Sequence, residues 1–126
     1  MKPLISSALV ILTLFLSACS PETPSENVFS EDDIKEFKEF HITAHQFAFE
    51  PEIIEVQSGD KVRLVITSKD VAHGFALPEY GINVRIDPGE TEIVEFVADK
   101  EGTFTIVCSV FCGADHGEMN AQLIVK

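Results

Sequence analysis

From residue 41 to the end of the chain, apolar and polar positions alternate in short runs. In KVRLVITS (61–68), Val62, Leu64 and Ile66 fall on one side and Arg63 and Thr67 on the other. A side-chain period of two predicts a half-buried strand. TEIVEFVA (91–98) and GTFTIVC (102–108) are similarly rich in β-branched and aromatic residues, and AQLIVK (121–126) closes the chain as a final strand. Turns fall between these runs, at Ser58-Gly59-Asp60, at Asp87-Pro88-Gly89-Glu90 and at 99–102. Pro88-Gly89 suits the two central positions of a type II turn, which needs a positive φ at the second. About seven strands with no helical crossover predict an all-β domain over 41–126, a β-sandwich or small barrel.

The pattern differs before residue 41. Ser30 with Asp33 has the form of a helix N-cap with an acid at the third position, and Ile34, Phe37 and Phe40 or His41 recur at helical spacing. A short helix within 31–40 is expected there. Residues 19–30 begin at Cys19 and continue SPETPSENVFS, rich in Ser, Pro and Glu, which predicts a flexible tether. Residues 1–18 combine Lys2, an apolar run over 4–16 and small residues before Cys19, the layout of a secretory signal. The run is short for a membrane span, which takes roughly 20 apolar residues. Its ending resembles the bacterial lipobox, which implies lipidation of Cys19 and an exported protein held at the membrane by lipid.

Removal of 18 from 126 residues leaves 108, enough for one core. The formal charge of −12 becomes −13, because the lost segment holds Lys2 and no acid. Such an acidic surface repels nucleic acid and steers a basic partner towards it.

The chemistry concentrates in CSVFCGADHGEM (108–119), where Cys108, Cys112, His116 and Met119 follow one another at C-x3-C, C-x3-H and H-x2-M intervals. Thiolate, imidazole and thioether are soft donors that suit copper over calcium, magnesium or manganese. Zinc takes Cys and His but rarely Met. His73, in DVAHGF after the strand 61–68, is the best further ligand, with Gly74 permitting close approach of the backbone. His41 and His45 read as ordinary surface histidines. In an exported protein a Cys108–Cys112 disulfide without metal stays open. A thioredoxin-type dithiol would need βαβ units, and none is evident.

DVAHGFALPEYGINVRIDPGE followed by GTFTIVCSVFCGADHGEM resembles the CuA domain of cytochrome c oxidase subunit II over roughly 42–126. The resemblance implies a cupredoxin Greek-key β-sandwich holding two coppers that share one electron. By position, Cys108 and Cys112 would bridge both coppers, and His73 and His116 would each ligate one. Met119 and the backbone carbonyl of Val110 would be weak ligands. Family members usually carry an acid at the position of Val110, whose side chain reaches a magnesium site. They also usually present a Trp to cytochrome c; this chain has none, so a different docking surface, or an aromatic substitute such as Phe75 or Phe111, would be required. They are normally preceded by a transmembrane hairpin, in whose place a lipid anchor at Cys19 is expected here. Nitrous oxide reductases have a related CuA domain, but their catalytic propeller does not fit in 108 residues.

The function implied is single-electron transfer from a cytochrome c-like donor to a terminal oxidase or reductase, with no catalytic site on this chain. The alternatives are a true oxidase subunit II, whose electron-accepting role is the same, and a copper delivery or storage protein.

Overall fold

The computed structural model describes residues 36–126. The predicted signal segment 1–18, Cys19, the tether 19–30 and the first part of the predicted helix, 31–35, lie outside the described residues. The rest of that helix is corrected: 36–37 have no regular structure and the first strand starts at Lys38.

The strands are β1 Lys38–His45, β2 Ala48–Glu50, β3 Ile53–Val56, β4 Lys61–Ser68 and β5 His73–Leu77, then β6 Ile82–Ile86, β7 Thr91–Val97, β8 Gly102–Val107 and β9 Asn120–Val125. Single 3₁₀ turns lie at Pro78–Tyr80 and His116–Glu118. Two sheets result, one ordered β2-β1-β4-β7 and the other β3-β9-β8-β5-β6. The parallel neighbours β1/β4 and β3/β9 are distant in sequence, so the chain crosses between sheets as a Greek-key sandwich does. The expected all-β sandwich is present, with the short β2 and β3 raising about seven strands to nine.

β1 explains why the helix reading does not hold over 38–40. Phe40 pairs in register with Leu64 and Ile42 with Ile66, and Ile42 and Ala44 are buried. Burying a side chain of that size contributes about 1.5–3 kcal/mol, enough to override local helix preference. Phe37 lies 4.4 Å from the Arg63 guanidinium, against β4.

β4 follows its expected alternation, with Val62, Leu64 and Ile66 fully buried. In the turn before β7 the Glu90 amide donates to the Asp87 carbonyl at 3.0 Å and Gly89 has φ 79°, as a type II turn requires. Phe49 and Phe75 meet edge to face between the sheets at 5.6 Å. Three connections gather at one end of the sandwich: the β1–β2 turn, the segment between β4 and β5, and the β8–β9 loop. Among the described residues no helix is long and apolar enough to cross a membrane.

Candidate metal centre

The loop joining β8 to β9 is closed at its base, where the Cys108 amide donates to the Met119 carbonyl at 3.1 Å. Three of its side chains, those of Cys108, Cys112 and Met119, are buried. β5 faces the loop with His73, which is fully buried. Gly74 makes that approach possible. A Cβ there would lie 2.1 Å from Ser109 Oγ and 2.7 Å from the Val110 nitrogen. Its own N–H points to Cys108 Sγ at 3.5 Å.

The donor atoms form two sets around a pair of sulfurs. Cys108 and Cys112 are free thiols with Sγ atoms 3.7 Å apart. Beside Cys108 Sγ lie His73 Nδ1 at 3.9 Å and the Val110 carbonyl oxygen at 3.2 Å. Beside Cys112 Sγ lie His116 Nδ1 at 3.5 Å and Met119 Sδ at 3.8 Å. We call these the inner and outer arms. His73, Cys108 and Cys112 bring one donor atom each within 4.8 Å of one another. His116 joins through Cys112. Metal bonds of about 2.0–2.3 Å to nitrogen and sulfur place neighbouring donors roughly 3.5 Å apart, so the donor set fits a bound soft metal.

His73 is oriented from behind. Its Nε2 lies 2.7 Å from Asp70 Oδ1, which assigns the ring proton to Nε2 and leaves the Nδ1 lone pair for a metal. Burial pushes the Asp70 carboxyl up, but the Gln46 amide, the His73 ring and the Val71 amide together hold it down at about 2. It is therefore ionised at neutral pH, as a partner for an N–H should be. The Cys112 thiol moves the other way: burial first, then the hydrogen bond to Cys108, push it up to about 11. Metal binding must therefore displace its proton.

All six residues expected from the sequence, His73, Cys108, Val110, Cys112, His116 and Met119, meet in this cluster. His41 and His45 stay outside it, pairing with Glu39 and Glu50 at 3.0 Å each. Of the two aromatics offered for a docking face, Phe75 is corrected: it is wholly buried against Phe49. Phe111 is 78% exposed, and its ring lies 5.7 Å from that of His116.

Sequence reasoning missed Asp70, although an acid three positions before a candidate ligand in a turn was a usable signal. It also missed the Ser109 hydroxyl held by Asn83 at 2.7 Å and the Gln46 side chain on the Cys112 carbonyl. Both join residues far apart in the chain.

Residues 33–125 match the family described as the periplasmic domain of cytochrome c oxidase subunit II. The chain is 36% identical over 86 residues to cytochrome c oxidase subunit 2 of Thermus thermophilus, covering 68% of this chain and 64% of that protein. It is 42% identical over 89 residues to the nitrous-oxide reductase of Cupriavidus necator, covering 68% of this chain and 14% of that protein. The crystal structure of the periplasmic domain of subunit II of cytochrome oxidase from Bradyrhizobium japonicum superposes with a TM-score of 0.65 at 25% identity, covering 70% of this chain and 83% of that one. The chain thus spans less than two thirds of the length of these two curated relatives. With the cupredoxin-like sandwich and the match over nearly all described residues, the chain belongs to the family of cytochrome c oxidase subunit II periplasmic domains.

Proposed function

We propose that the protein is an electron carrier with a binuclear copper centre of the CuA type, taking single electrons from a cytochrome c-like donor and passing them to a terminal oxidase or reductase. The observation that carries this reading is the paired sulfurs, 3.7 Å apart, each with its own imidazole and its own weaker donor. A mononuclear blue site uses one Cys, two His and a distant Met, and would leave the second thiol without a role. Softness of the donors favours copper.

Copper held there would supply a one-electron couple. The chain's own part is to fix His73, Cys108, Cys112, His116, Met119 and the Val110 carbonyl between strands, so that the donors barely move when the charge changes. Burial of His73, Cys108, Cys112 and Met119 keeps water off them. Copper held by these six residues would take its ligands from protein, which favours electron transfer over substrate turnover. Phe111, exposed beside His116, offers an apolar edge for a partner. The charge of −13 left after removal of 1–18 favours a basic donor. Export is supported by membership of a family of periplasmic domains; the signal at 1–18 and lipidation at Cys19 complete the proposed placement at the membrane.

Membership in an assembled oxidase is the second reading, favoured by the 36% identity to the Thermus subunit. Co-purification with a haem-bearing subunit distinguishes it. The test of the shared claim is to mix copper-loaded protein with a reduced basic c-type cytochrome. One electron taken up per chain, at a rate that falls with added salt, is expected. Copper-loaded protein that takes no electron, or that hands its copper to a chelating acceptor, would point instead to copper delivery or storage.

A further inference from the structure

Gln46 lies in the turn between β1 and β2, in the sheet opposite the metal loop. It reaches the inner arm through Asp70 and the outer arm directly. Its backbone N–H donates to Asp70 Oδ2 at 2.7 Å, and the other oxygen of that carboxylate accepts from His73 Nε2. Its side-chain Nε2 donates to the Cys112 carbonyl at 2.5 Å, across 66 positions of sequence. One residue thus holds the carboxylate behind the inner imidazole and the main chain of the outer cysteine.

The loop is shaped to admit it. Gly113 has φ 143°, and a Cβ at that position would lie 2.8 Å from Gln46 Nε2 and 2.8 Å from the Phe47 ring. Glycine leaves the space that the Gln46-Phe47 turn fills. Gln46 itself lies at the exposed rim, so core packing does not explain its place.

We infer that Gln46 is a positioning residue that sets the spacing between the His73 and Cys112 arms of the metal cluster. The inference rests on the copper reading above. No ligand atom is lost with the Gln46 side chain; what is lost is the tie that keeps the Cys112 carbonyl, and hence its Sγ, at a fixed distance from the Asp70–His73 pair. Outer partners of metal ligands typically govern 10–100-fold in metal affinity.

The test compares the full chain with Gln46→Leu, which removes the donor and keeps bulk, and Gln46→Glu, which keeps length and polarity but presents oxygen to the Cys112 carbonyl. Should the leucine variant not fold, the glutamate variant decides. Copper release to a chelator about 10–100-fold faster is expected, with a displaced visible absorption maximum and reduction potential. In metal-free protein, alkylation of Cys112 should accelerate in both variants. A lowered Tm with wild-type spectrum, potential, copper release and thiol reactivity overturns the inference, since a purely structural role predicts that outcome. A wild-type chain that takes up no copper defeats the proposed function instead, and the metal-free thiol rates then decide the role of Gln46.

Discussion

The two arms of the cluster share a chemistry but not a setting. His73, on the first residue of β5, is wholly buried and backed by an ionised Asp70. His116 sits in a loop turn, half-buried, with the 78% exposed Phe111 ring beside it. The inner imidazole is fixed by a strand and a carboxylate; the outer one is reached from solvent. The division teaches how one small domain meets two opposed demands. In the proposed electron carrier, donors must stay still through a change of charge, and a partner must still come close. Burial serves the first and the exposed rim serves the second.

The largest expected effect treats the arms as one. In the proposed site both thiolates would serve both coppers, so Cys108→Ser and Cys112→Ser should each abolish the two-copper state, seen as loss of its visible spectrum and copper content. Retention of that state in either variant would break the idea of shared sulfurs.

The next effect separates them. Asp70→Ala removes the acceptor behind His73 and should weaken copper binding about 10–100-fold by chelator competition. Phe111→Ala should leave copper content and spectrum unchanged. It should instead slow electron uptake from the cytochrome about tenfold, equivalent to about 1.4 kcal/mol at a docking contact. A reversal, with Phe111 governing copper and Asp70 governing docking, would undo the comparison. Smallest is Met119→Leu, a near-isosteric change costing under about 1.5 kcal/mol of stability. Both coppers should remain while the reduction potential shifts; loss of all copper would make Met119 a principal ligand.

The same division runs through what was legible in the sequence. Alternation exposed β4, and the C-x3-C-x3-H-x2-M spacing exposed the loop, because both signals are local. β5 was not legible as a strand, since all five residues His73–Leu77 are buried and show no alternation. β1 was misread at its start because Ile34, Phe37 and Phe40 mimic a helical stripe, while its true partner, β4, lies more than twenty positions away. Phe75 and Phe111 look alike in sequence, and only the fold sends one into the core and leaves the other on the rim. Asp70 was within reach as a neighbour of His73. Gln46 was not, because nothing near it signals the Cys112 carbonyl.

The most direct test is electron paramagnetic resonance with copper analysis on the loaded, partly reduced protein. Two coppers per chain are expected, with a hyperfine pattern from one unpaired electron spread over two copper nuclei. A single copper with hyperfine splitting from one nucleus would contradict the binuclear centre, and would reduce the paired sulfurs to one ligand and one bystander.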